Sequence, residues 1–236
     1  MRDILSYVLH IVFPVRCPVC GRLAVPFCSE CVSGAAASPL PPFCSECGGP
    51  YGVDCCDKSL PCYAAAVHDG AARRLLLALK YSNIRSLGEA LGNEMAKRFP
   101  DISADLIIPV PLHSDSKRAY NQTALISRGI SAVNGIPVAE DKLKWSRPCG
   151  KQTGRSGAER KTLSFNSMEA SKELADRKVI LVDDVYTTGG TLRAALSVLR
   201  RAGADVLAAF LWTRRLPGEN PAAWPGYVEK DDFWYN

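Results

Sequence analysis

The feature that most constrains this chain lies at residues 178–212, "KVILVDDVYTTGGTLRAALSVLRRAGADVLAAFLW". Val179 to Val182 form an unbroken apolar run, the pattern of a strand covered on both faces in a parallel sheet. Leu192, Ala195, Leu196 and Leu199 then recur at the spacing of one helical face, with Arg193, Arg200 and Arg201 left for its wetter side. Gly203 closes the helix, and Asp205–Trp212 reads as the next strand. The predicted unit is strand, loop, helix, strand. It places Asp183 and Asp184 at the carboxyl end of the first strand, the edge where open α/β sheets bind ligands.

The loop after the acids has its own chemistry. Gly189 and Gly190 let the backbone approach a ligand, and Thr187, Thr188 and Thr191 supply hydroxyls. A helix that starts there turns free N–H groups and a positive dipole end toward the loop, which suits phosphate. Two carboxylates beside a phosphate cradle suit a phosphate carried on a polyol, because carboxylates accept hydrogen bonds from neighbouring hydroxyls. The ligand class implied is a sugar phosphate accompanied by a divalent cation.

The stretch "VILVDDVYTTGGTL" resembles the phosphoribosyl diphosphate motif of type I phosphoribosyltransferases. The resemblance implies that Asp183 and Asp184 hold the ribose 2- and 3-hydroxyls. It implies that Thr187, Thr188, Gly189, Gly190 and Thr191 hold the 5-phosphate, with Mg2+ bound alongside the phosphoribosyl diphosphate.

Cysteine is the second signal. Nine of the ten cysteines lie between Cys17 and Cys62, six of them in the pairs "CPVC", "CSEC" and "CSEC" at 17/20, 28/31 and 44/47. A disulfide-rich secreted module is the competing explanation, but C-x2-C pairs are the spacing of tetrahedral zinc sites. Cys17, Cys20, Cys28 and Cys31 make one complete ligand set. Cys44 and Cys47 begin a second, whose other half must come from the irregular "DCCDKSLPC". Cys55 and Cys56 are taken as its ligands, and Cys62 is also within reach in sequence.

With 47% hydrophobic and 22% charged residues, the composition is that of a globular protein rather than a disordered one. No apolar run approaches the ~20 residues needed to span a bilayer. "ILSYVLHIVF" near the start lacks a following small-residue cleavage site and is expected to be a short amphipathic helix packed on the body. Residues 1–62 carry 4 basic and 5 acidic side chains, a net −1, so the remainder carries +6 against the overall +5. A basic body suits a polyanionic ligand, either a diphosphate or nucleic acid.

Further signals lie between. "YAAAVHDG" reads as a strand, "AARRLLLALKYSN" and "SLGEALGNEMAKRF" as helices, and "ADLIIPVPL" as another buried strand. Lys117 and Arg118 follow that strand before Asn121 and Gln122 open a helix; the resemblance implies that the turn Pro109 to Leu112 holds the diphosphate, with Lys117 and Arg118 either meeting its oxygens or forming a solvated basic surface. Residues 145–165 read as a long basic loop containing Arg147, Lys151, Arg155, Arg160 and Lys161, either a lid over the site or a nucleic-acid contact. His10, His68 and His113 have no metal-ligand spacing, and Cys149 has no histidine near it in sequence. The tail from Pro217 has no assignment.

Taken in order, "CPVCG", "CSEC", "CSECGGP", "LLLALKY", "IIPVPL", "RAYNQ", "QTGRSGAER" and "VDDVYTTGGTL" resemble the ComF competence family, a double zinc ribbon followed by a phosphoribosyltransferase domain. The chain departs from that pattern in lacking a fourth C-x2-C pair and in having Ala119 and Tyr120 before Asn121. The expectation is an α/β fold with a mostly parallel sheet of the type I phosphoribosyltransferase kind, helices on both faces, and a small zinc-ribbon module. The boundaries expected are 1–60 for the cysteine module and 61–236 for the transferase-like domain. The resemblance implies a cytoplasmic protein linked to DNA uptake, with single-stranded DNA and a competence helicase as partners. Transfer of the ribosyl group to an unidentified nitrogen acceptor, a non-catalytic adaptor role, and a regulator that senses phosphoribosyl diphosphate all remain open at this point.

Overall fold

The computed structural model describes residues 15–24, 27–52, 55–56, 59–113, 116, 118–146 and 168–216. The expectations for residues 1–14, Lys117, the basic loop from 147 and the tail from Pro217 lie outside the described residues.

The centre is a five-stranded sheet in the order β3(Phe43–Cys44), β4(Pro61–Val67), β9(Asp205–Arg214), β8(Lys178–Tyr186), β5(Leu106–Pro109). Only β3 runs antiparallel to its neighbour; the other three pairs are parallel. Side chains of β8 alternate, as a pleated strand requires. Val179 and Leu181 enter one core with Leu192, Ala195 and Leu199 of helix α5(Gly190–Arg201). Ile180 and Val182 enter the other, with α2(Gly70–Tyr81), α3(Ser86–Ala96) and α4(Gln122–Asn134). Layers on both faces explain why β8 and β9 are apolar without polar alternation.

Strand β8 continues through both acids to Tyr186, longer than the apolar run indicates. Its pairing with β9 persists to Tyr186↔Arg214, whereas β5 stops opposite Val182, after which the Val110 N–H donates to Val182 O. Asp183 and Asp184 therefore sit within a strand, at the step where one of its two neighbours ends. The carboxyl edge of the sheet opens there.

Helices α3 and α4 cross at backbone contact. A Cβ on Gly92 would lie 2.0 Å from Ile126 O, and one on Gly129 would lie 2.0 Å from Glu89 O. The crossing locks α4 beneath β5 and β8, and α4 carries Gln122 into the site at its first turn.

The cysteine segment is divided by the fold. Its first part, the short pair β1(Val15–Arg16) and β2(Leu23–Ala24) with helix α1(Ser29–Ala35), packs Val32 into the core of α2 and α3. Arg98 fastens it by donating to Ser33 O at 3.2 Å and Ser33 Oγ at 3.0 Å. The second part supplies β3, so position 60, the expected boundary, falls between two hydrogen-bonded strands of one sheet. A separate hairpin, β6(Leu143–Trp145) with β7(Met168–Ala170), covers the α5 face. Trp145 is thus a strand residue, not the start of a loop.

Candidate functional site

Gly189 caps α5 with φ +75°, the left-handed region open to glycine, and among the described residues no side chain caps the first N–H groups of the helix. Those donors face a cleft of ≈ 320 Å³ lined by Asp183, Thr187, Thr188, Gly190 and Thr191 on one side and by His113 and Trp145 on the other. The expected phosphate-loop residues are brought together, and the first turn of α5 contains no acid to repel an anion. His113 and Trp145 pack ring against ring at 4.7 Å, and Trp145 Nε1 donates to Pro111 O at 2.9 Å. The hairpin is thereby tied to the loop after β5.

The two acids do not act as a matched pair. Both are buried, but the pleat sends them to different partners. Asp184 meets Lys80 Nζ at 3.0 Å and accepts a hydrogen bond from Gln122 Nε2. Asp183 lines the phosphate-loop cleft and accepts from the Asp184 backbone N–H at 2.8 Å. Burial, and then the Asp184 charge, push the Asp183 carboxyl up to about 8. A ligand hydroxyl or a cation would favour its ionised form.

The loop after β5 is fixed at its far end by Asn121, whose Oδ1 accepts from the Thr123 N–H at 3.1 Å while Nδ2 donates to Val110 O at 3.0 Å. Arg118 lies not in the phosphate-loop cleft but in a second one of ≈ 550 Å³, beside Lys80, Arg85 and the exposed Tyr81. Arg85 stacks over the Tyr120 ring at 4.9 Å, and the Tyr120 hydroxyl donates to Leu79 O. Sequence reasoning missed Lys80, Gln122 and Trp145. For Lys80 a signal existed: it follows Leu76 at i+4, so a cation stands at the end of an apolar helical face.

The cysteines form two groups, Cys17–Cys20–Cys28–Cys31 and Cys44–Cys47–Cys55–Cys56, with sulfurs within 4.8 Å of one another in each. A Zn–S bond of about 2.3 Å in a tetrahedron implies sulfurs ~3.8 Å apart, and Cys47 and Cys55 stand at 3.9 Å. Every described cysteine is a free thiol. Hydrogen bonding from Arg22, first from its backbone, lowers Cys20 to about 6. Cys44 is raised by burial but drawn down on balance to about 7, chiefly by the backbone N–H of Cys47. Burial raises Cys31, and the sulfurs of Cys44 and Cys47 raise Cys55 and Cys56 respectively, so each group pairs a readily ionised thiol with ones that a metal would have to deprotonate. Cys62 lies apart in the sheet core, where burial raises its thiol.

Residues 83–234 match the phosphoribosyl transferase domain family. The chain is similar to competence protein F of Haemophilus influenzae, 38% identical over 106 residues, or 43% of this chain and 46% of that protein. It is also similar to adenine phosphoribosyltransferase of Mesorhizobium japonicum, 66% identical over 47 residues, or 19% of this chain and 26% of that one. The chain thus spans less than half the length of these curated relatives. Among solved structures, the B. subtilis glutamine phosphoribosylpyrophosphate amidotransferase superposes with a TM-score of 0.42 at 25% identity, covering 54% of this chain and 26% of that one. Two cysteine groups of zinc-ribbon type precede the matched region, in keeping with the ComF resemblance. The chain belongs to the phosphoribosyl transferase domain family.

Proposed function

We propose that the chain binds phosphoribosyl diphosphate with Mg2+ and transfers its 5-phosphoribosyl group to a nitrogen acceptor, releasing diphosphate. The observation that carries this reading is the uncapped N-terminus of α5 behind Gly189, opening into a cleft beside a buried acid. The N–H groups of Gly190, Thr191 and Leu192 and the threonine hydroxyls hold the 5-phosphate. Asp183 accepts from a ribose hydroxyl on the cleft side; Asp184 completes the ribose floor and keeps Lys80 in place. The diphosphate extends toward Lys80 and Arg118. A single carboxylate together with ligand phosphates is a fitting donor set for Mg2+. Charge placement and orientation around a cationic anomeric carbon supply the catalysis.

Each cysteine group holds one structural zinc, and the reduced thiols suit a cytoplasmic protein. Among the described residues, no helix is long and apolar enough to cross a membrane. Calorimetry with phosphoribosyl diphosphate, with and without Mg2+, tests the binding. Diphosphate release over a panel of nitrogenous bases tests the transfer. A chain that binds but never releases diphosphate is a sensor rather than an enzyme. A chain that does not bind refutes the reading.

A second reading is favoured by the cleft of Lys80, Arg85 and Arg118 with the exposed Tyr81. Cations beside an open aromatic ring suit single-stranded nucleic acid. The similarity to competence protein F supports a role in competence, and in this reading the chain is an adaptor that hands single-stranded DNA to a helicase. Binding of oligonucleotides at rising salt tests it, since counterion release makes such affinity fall steeply. Arg85→Ala should flatten that dependence.

A further inference from the structure

The second cysteine group is built into the support of the phosphate loop. Cys44 ends β3, and the chain turns back at once: the Gly48 N–H donates to Cys44 O at 3.0 Å, and the Cys44 N–H to Gly49 O at 2.8 Å. The N–H groups of Glu46 and Cys47 point at the Cys44 sulfur, at 3.3 and 3.5 Å. The Glu46 carbonyl then faces away from the sulfurs, toward α5. Arg193 meets it there, donating from Nη1 to Glu46 O at 3.1 Å and from Nη2 to Thr188 O at 2.9 Å. One guanidinium therefore joins a carbonyl of the metal knuckle to a carbonyl of the phosphate loop. The planar fork of arginine can serve both acceptors at once, which an ammonium cannot do in the same geometry.

A second clasp lies beside it. Arg214 donates to Gly48 O, and its guanidinium stacks over Phe43 at 3.8 Å. Tyr186, the last residue before the loop, packs edge-on against Phe43 at 4.8 Å. Its hydroxyl is wedged between two glycines: a Cβ on Gly48 would come within 3.3 Å of it and one on Gly189 within 2.7 Å. The first cysteine group has a different anchor, Arg98 on Ser33.

We propose that Arg193 is a positioning residue which couples the metal at Cys44, Cys47, Cys55 and Cys56 to the shape of the phosphate loop, so that metal occupancy sets sugar-phosphate affinity and the ligand in turn retards metal loss. The ligands come from two stretches, 44–47 and 55–56. The metal is what joins them and holds the Glu46 carbonyl where Arg193 needs it. Coupling between two binding sites is reciprocal, so each must respond to the other by the same factor. The affinity part of the inference rests on the phosphoribosyl diphosphate reading; the coupling itself does not.

The test uses the full zinc-loaded chain and three readouts: phosphoribosyl diphosphate affinity with Mg2+, the affinity and rate of loss of zinc against a chelator, and amide hydrogen exchange at residues 187–192. Cys47→Ser should weaken ligand binding about tenfold and speed loop exchange by a similar factor, whereas Cys31→Ser should change either less than about threefold. Arg193→Ala retains all eight cysteine ligands, so it should keep both zincs and yet show the same loss. Arg193→Lys should restore only part of it. In the parent, the ligand should tighten one zinc about tenfold in equilibrium competition with a chelator and slow its loss, and in Arg193→Ala it should do neither. If the parent binds the ligand, and neither affinity nor loop exchange responds to Cys47→Ser or Arg193→Ala, the coupling is overturned and the ligand reading stands. If the parent does not bind but loop exchange still follows zinc and Arg193, the coupling stands and the ligand reading fails.

Discussion

The ammonium of Lys80, in the last turn of α2, lies 3.0 Å from the carboxylate of Asp184 on β8, with the two side chains 15% and 10% exposed. The pair offsets the repulsion that adjacent buried acids would otherwise impose. Removing one member strands the other charge, at a cost of about 3 kcal/mol. Asp184→Asn and Lys80→Met should each lower the denaturation midpoint of the ligand-free chain. The double variant should recover part of the loss, measurable as a coupling energy in urea titrations.

Asp183 should behave in the opposite way. Its carboxyl is raised to about 8 in the fold, above its value in an unfolded chain. The folded state therefore holds a proton that the unfolded state releases, and stability falls as pH rises from about 4 toward 8. Asp183→Asn keeps the acceptor for the Asp184 N–H and removes this penalty. It should be more stable than the parent at pH 7, by on the order of 1–3 kcal/mol, and equal to it near pH 4. Equal stability at both pH values would show that the acid is ionised at no cost.

The same proton opposes ligand binding if the ionised acid is what meets ribose or Mg2+. Phosphoribosyl diphosphate affinity should then fall by up to about tenfold per unit as pH drops below 8, approaching one proton released per ligand bound. Calorimetry in two buffers of different ionisation enthalpy measures that proton directly. Asp183→Asn should abolish both the release and most of the affinity.

Gly189→Ala attacks the phosphate loop at the cap of its helix. The position has φ +75°, and the added Cβ would meet Arg193 Nη1 at 2.6 Å and the Tyr186 hydroxyl at 2.7 Å. The loop must move to relieve this, so ligand affinity should fall at least tenfold for a stability loss of about 1–2 kcal/mol. A variant that binds as the parent does would exclude the helix N-terminus as the phosphate cradle.

Gly92→Ala tests the helix crossing that sets α4 under the site. A methyl group placed 2.0 Å from Ile126 O forces the helices apart. The expected cost is about 1–3 kcal/mol, with ligand binding weakened as Gln122 shifts. Gly34→Ala, where the added Cβ meets nothing within 4 Å, is the control and should be near neutral.

Much of this protein was legible locally. The apolar run of β8, the leucine spacing of α5 and the "TTGGT" loop specify one strand–loop–helix–strand unit, because periodicity and loop chemistry act between near neighbours. The cysteine pairs specify the first cysteine group for the same reason: a C-x2-C turn brings its two sulfurs together unaided. The second group was legible less firmly, since Cys55 and Cys56 have no regular spacing from Cys44 and Cys47; the fold decides for them over Cys62, which the sheet core holds apart. What Asp183 and Asp184 each meet was also decided by the fold. A pleated strand sends neighbouring side chains to opposite faces, and which helix waits on each face follows from the packing of α2, α3 and α4. Arg193 makes the same point. Its helical position predicts an exposed cation, yet the knuckle after β3 supplies a carbonyl within reach, and a charged group takes the partner that tertiary packing brings to it.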